Sequence, residues 1–100
     1  MRNINTLKLT GIKKALGLIG SKIKPVFFQT RFGIHTFFVK YPIDALILDQ
    51  NFKVVRFKTN LKPNRIFIWN PRFYNVVELP EGYITKNKIK IGSKIQIKYL

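Results

Sequence analysis

Residues 31–49 read RFGIHTFFVKYPIDALILD, and the architecture turns on how this stretch is parsed. It holds the only histidine, two of the four acidic residues, an arginine, a glycine and a proline beside a long apolar run. Pro42 disfavours helix at Tyr41, so the stretch divides into two strands joined at Lys40-Tyr41-Pro42. Ala45-Leu46-Ile47-Leu48 is apolar without alternation, the pattern of a strand covered on both faces. This tetrapeptide is therefore expected to be the innermost strand of a β domain.

The flanking sequence supports that parse. C-terminal to the core strand, Asp49-Gln50-Asn51-Phe52 supplies turn chemistry, and Lys53–Lys58 is the expected return strand. Asn60–Asn64 reads as a polar loop carrying Pro63. From Arg65 to Trp69 the chain alternates, with Arg65, Phe67 and Trp69 on one face and Ile66 and Ile68 on the other. Asn70-Pro71-Arg72 is a turn, Tyr74–Leu79 a strand, and Pro80-Glu81-Gly82 its end. Tyr83–Asn87 has room for one helical turn. Ile89 and Ile91, then Ile95 and Ile97, alternate with polar residues around a tight turn at Gly92-Ser93. N-terminal to the core, Pro25 opens a strand through Val26–Phe28, and Gly33 sits near a bend. Ile12, Ala15, Leu16 and Ile19 have helical spacing, with Thr10 as N-cap and Gly17 or Gly20 as terminator. Leu7 and Leu9 mark a short first strand. Many short strands and a single helix predict a mainly β chain: a small single-domain β-barrel of residues 1–100 with one short N-terminal helix.

Composition narrows the function classes. Nineteen Lys and Arg against four Asp and Glu give a net charge of +15, which suits an anionic partner such as nucleic acid or an anionic membrane surface. The bland account is codon bias, since Lys, Ile and Asn together exceed a third of the chain and the lysines are scattered throughout it. There is no cysteine, which excludes disulfides, thiolate catalysis and Cys-based zinc sites and fits a reducing, cytoplasmic setting. No signal segment or membrane span is expected. Neither GxSxG, a P-loop, GxGxxG nor HExxH occurs, so no catalytic motif, metal or cofactor is assigned.

The segments TRFGIHTFFVKYPIDALILD, KVV, VVELPEG and IKIGSKIQI together resemble the prokaryotic domain-of-unknown-function family 192, the conserved ACR family, from about residue 17 to residue 97. The resemblance implies a compact β-barrel with little helix, and its members share no agreed activity. The chain departs from the family pattern at Val39, where methionine is common, at Phe52, where a turn glycine is frequent, at Glu81 within ELPEG, and at Ser93.

Four residues that match the family pattern are candidates for a polar ligand-binding pocket: Arg31, His35, Asp44 and Glu78. Glu78 lies in an apolar setting where a carboxylate needs a partner, and Arg31 is the expected one. In the functional reading His35 is an acid/base or anchor, Asp44 and Glu78 are acceptors, and Arg31 takes an anion. In the structural alternative the carboxylates satisfy loop N–H groups. Magnesium or calcium at Asp44, Asp49 and Glu78 is the weaker metal option. A second surface interleaves cations and rings at Arg65, Phe67, Trp69 and Arg72, a nucleic-acid platform if the rings face solvent and core if they do not. The expected function is a small-ligand or partner-binding module, the alternative a basic nucleic-acid-associated protein. A monomer or weak homo-oligomer is expected.

Overall fold

The computed structural model describes residues 2–8, 25–31, 33–37 and 40–99. Its strands are β1 (Arg2–Lys8), β2 (Val26–Gln29), β3 (Gly33–His35), β4 (Ile43–Leu48), β5 (Val54–Leu61), β6 (Ile66–Ile68), β7 (Asn75–Pro80) and β8 (Ile95–Tyr99), with one helical turn, α1 (Tyr83–Lys86). The helix expected over residues 11–19 lies outside the described residues.

Six strands form one sheet in the order β5-β4-β7-β2-β1-β8, and β3 and β6 form a separate antiparallel ribbon. As the unbroken apolar run demands, β4 is buried at every position from Ile43 to Leu48, between β5 and β7. Its side chains alternate between two cores. Ile43, Ala45 and Ile47 pack with Val26, Phe28, Val76, Leu61, Ile34, Phe67 and Trp69. Leu46 and Leu48 pack with Ile4, Phe27, Val54, Val77, Leu79, Ile84, Ile89 and Ile95. Each large aliphatic of β4 removed from water contributes roughly 1.5–3 kcal/mol.

The second core, with its half-buried neighbours Phe57 and Ile97, takes side chains from all six strands of the sheet. This requires the sheet to roll around it. The roll brings the two outer strands together at one corner, where Lys53 and Lys94 form an isolated antiparallel bridge. There Val54 N–H donates to Ser93 O and Ile95 N–H to Phe52 O, each at 2.9 Å. Among the described residues this is a bridge and not a continuous ladder, so the chain is mainly β with a rolled sheet. The first core lies on the other face, under the β3–β6 ribbon.

Three local readings differ from expectation. The strand expected to run up to Lys40-Tyr41-Pro42 ends at His35; it pairs with β6, where Ile34 and Phe67 close over the first core as a directly opposed pair. The return strand runs on to Leu61, through the expected loop at Asn60. Ile89 and Ile91 are not in a strand; Ile89 is core and Ile91 exposed. The sequence also gave no sign that β1 runs parallel to both β2 and β8.

Candidate functional site

Asp44 and Glu78 are both buried, but the register separates them. Asp44 is opposite Leu79 and Ala45 opposite Glu78. Leu79 belongs to the second core and Ala45 to the first, and directly opposed residues share a face. The two carboxylates therefore occupy opposite faces of the sheet.

Asp44 has a structural assignment. Its Oδ1 accepts the N–H of Asn60 at 3.0 Å, and its Oδ2 accepts the N–H of Ile84 at 2.9 Å. Asn60 sits where the β4–β5 register slips between Ile43 and Ala45, and its φ is 52°, a left-handed value that asparagine tolerates. One carboxylate thus fixes a bulge in β5 and the start of α1.

Glu78 is set in a cross-strand row formed by Lys58, Ala45, Glu78 and Val26. Among the described residues its carboxyl has no hydrogen-bond or ion-pair partner. Desolvation by burial pushes its pKa up to about 8, so the group is protonated and neutral at pH 7. The expected Arg31 partner is elsewhere. Arg31 follows the end of β2, is exposed, donates to Pro71 O at 3.3 Å, and lies over the Tyr74 ring at 4.5 Å. His35 is exposed on the outer face of the ribbon and stacks on Phe37 with centroids 4.9 Å apart. The four expected pocket residues do not converge on one cavity.

The aromatic platform is corrected as well. Phe67 and Trp69 face inward and are buried; their rings are 5.7 Å apart, and Trp69 Nε1–H donates to Phe73 O at 2.8 Å. The alternation was right, and the buried face is the one with the larger rings. Arg65 and Arg72 are exposed.

The structure adds an arrangement that spacing did not reveal. Three guanidinium groups lie over aromatic rings: Arg31 over Tyr74 at 4.5 Å, Arg56 over Phe67 at 4.8 Å and Arg72 over Phe73 at 5.8 Å. Arg56 also donates to Ile68 O at 3.1 Å. Main-chain acceptors hold the Arg31 and Arg56 guanidinium groups, and among the described residues no carboxylate pairs with any of the three. Arg72 and the Phe73 and Tyr74 rings line a cleft of about 350 Å3 together with Leu48, Asp49, Gln50, Asn51 and Val55; Arg31 reaches it only through Tyr74, and Arg56 and Phe67 are not part of its lining. Its lining mixes polar residues with Leu48, Val55 and the Phe73 and Tyr74 rings. Asp49 Oδ1 accepts the N–H groups of Asn51 and Lys53, which fixes the turn on one side. Gln29 donates to Asn75 Oδ1, and Asn75 donates to Asp49 O, tying that turn to β2 and β7. Sequence reasoning missed Arg56, Asn75 and Thr36. Thr36 is buried, donates to Lys62 O at 2.6 Å and accepts the N–H of Arg65 at 2.9 Å, clasping the ribbon. Its position in the HTF triplet was the one available signal.

Among the described residues no three of His, Asp and Glu cluster as metal ligands, and no helix is long and apolar enough to cross a membrane.

Comparison with known proteins fits the β architecture. A UPF0127 protein of Pyrococcus horikoshii is 39% identical over 92 residues, covering 85% of this chain and 79% of that protein. A UPF0127 protein of Pyrococcus abyssi is 37% identical over 71 residues, 69% of this chain and 60% of that one. Two crystal structures share the fold. One, of a Novosphingobium aromaticivorans protein of unknown function, has TM-score 0.74 at 17% identity and covers 92% of this chain and 70% of its own. The other, from Sinorhizobium meliloti 1021, carries the provisional description of a transcription regulator; its TM-score is 0.72 at 16% identity, with 90% of this chain and 78% of its own covered. The family model for DUF192, described as uncharacterized ACR, matches residues 24–97, and the chain belongs to that family.

Proposed function

We propose that the chain is a single-domain binding module that takes an anionic small ligand at the cleft beside Arg31 and Arg72. The observation that carries this reading is the pair of guanidinium groups set near the Tyr74 and Phe73 rings, two rings that line a cleft of about 350 Å3. An arginine kept near a ring presents its donor fork to phosphate or carboxylate with less freedom to lose on binding. Arg31 is carried over from the expected pocket residues. Asp44 serves the scaffold, and His35 and Glu78 lie outside this cleft. The reading takes the rolled sheet as a small barrel, supported by the Lys53–Lys94 bridge and the core shared by all six strands, and it keeps a cytoplasmic setting.

The test uses inorganic phosphate and adenosine 5′-monophosphate as probes, with Trp69 emission and calorimetry as readouts. Trp69 is the only tryptophan and is bonded to the cleft residue Phe73. Saturable binding, weakened about tenfold or more by Arg72→Gln and unchanged by Arg65→Gln, supports the reading. Absence of saturable binding to either probe refutes it.

A second reading, a basic nucleic-acid-associated protein using Arg65 and Arg72, is favoured by the net charge of +15. With Phe67 and Trp69 buried, base stacking on those rings is not part of it, and only phosphate contacts are left. Affinity for single-stranded DNA should then fall with salt at a log–log slope near −0.7 per contact, and Arg65→Gln should make the slope shallower.

A further inference from the structure

The β3–β6 ribbon buries one face and leaves the other bare. Ile34 and Phe67 point into the first core, while Ile66, Ile68 and Phe37 are 67%, 63% and 48% exposed. These are three of the five large hydrophobic residues standing exposed among the described residues. Ile66 is paired with His35 and Ile68 with Gly33, and the His35 ring is stacked on Phe37, so the apolar groups share one side of a two-stranded ribbon. Cations flank them: Arg65 and Lys62 are exposed, and Arg56 is tied to Ile68 O. Two of the four acidic residues, Asp44 and Glu78, are buried, so the charge this molecule presents to a partner is almost wholly positive.

We propose that this outer face of the ribbon is a peripheral docking surface for an anionic lipid membrane. Three side chains, two on β6 and one just past the end of β3, fall short of the roughly 800 Å2 per partner that a stable protein interface buries. A second copy brings the same +15 charge and repels. A bilayer needs no matching shape. It accepts a few shallow aliphatic and aromatic groups, and each Lys or Arg near an anionic surface adds to the attraction. The proposal concerns a different face from the cleft and stands or falls apart from it.

The experiment is co-sedimentation of the full chain with vesicles of phosphatidylcholine alone and of equal parts phosphatidylcholine and phosphatidylserine. Binding is expected to the mixed vesicles only, to weaken as salt is raised, and to fall about tenfold or more in an Ile66→Ser/Ile68→Ser variant. Both positions are exposed, so the variant should melt like the parent, and Trp69 emission reports that its core is intact. No binding to mixed vesicles overturns the proposal. So does binding that the double variant leaves unchanged, which would reduce the attraction to charge alone. A dimer seen by analytical ultracentrifugation and dissolved by the same variant also overturns it, giving the face to a second copy.

Discussion

The two oxygens of Asp44 are committed to two main-chain N–H groups, one at the bulge of β5 and one in α1. Removing the carboxylate strands both donors in a buried place. Asp44→Ala should therefore lower the unfolding free energy by about 3 kcal/mol, and Asp44→Asn by clearly less, because the amide keeps one acceptor. Urea denaturation checks the order, and ligand affinity per folded molecule should not move in either variant. Gly33 is a second single-residue constraint. Its φ is +151°, and an added Cβ would sit 2.7 Å from Phe67 O and 2.9 Å from Ile68 Cγ2. The chain needs glycine there for β3 to approach β6, and Gly33→Ala should destabilise by roughly 1–3 kcal/mol, read from the same urea curves. Phe52 explains one departure from the family pattern. Its φ is 62°, the left-handed region that glycine usually fills, and its ring compensates by packing on Phe27 at 5.7 Å.

At the scale of elements, legibility followed the strength of the local pattern. The run Ala45–Leu48 was readable because no solvated strand tolerates four successive apolar residues. The hairpin that follows it was readable from Asp49 and Asn51, whose turn the structure reproduces. The alternation in Arg65–Trp69 gave the two faces of β6 but not its partner, since pairing depends on which core needs covering. Parallel pairing of β1 was illegible for the same reason. The candidate pocket failed to converge because adjacent residues on neighbouring strands, Asp44 and Ala45 against Leu79 and Glu78, change face with each step; only register decides that. Thr36 belongs to this scale because its hydroxyl joins the end of β3 to the chain entering β6. Thr36→Val, which keeps the shape and removes the hydroxyl, should speed amide hydrogen exchange at Ile34 and Phe67 and leave the β4 amides as protected as before. Uniform loss of protection across both sheets would show that the ribbon is not a separate unit.

For the whole molecule, the charge balance was plain in the sequence, whereas the state of its buried acid was not. Glu78 is the one described group held far from its ordinary titration range, at about 8 against 4.5, and the cause is burial on the face of the first core. Below pH 4.5 both the folded and unfolded chains carry the proton. Between 4.5 and 8 the unfolded chain loses it while the folded chain keeps it, so the unfolded state binds fewer protons and the unfolding free energy falls as pH rises. Above 8 the folded state titrates too and the decline levels off. Across the full window the loss is on the order of 5 kcal/mol, a large share of the 5–15 kcal/mol typical of a domain. Lys58 sits across Ala45 in the same cross-strand row, and any approach to the ionised carboxylate would make the decline shallower. Urea midpoints measured from pH 4.5 to 9 should therefore drop steadily to about pH 8. Glu78→Gln, uncharged at every pH, should be nearly flat over the same range and more stable than the parent at the alkaline end. A parent curve as flat as that of the variant would mean that the carboxylate finds a partner in the folded protein and is not held neutral.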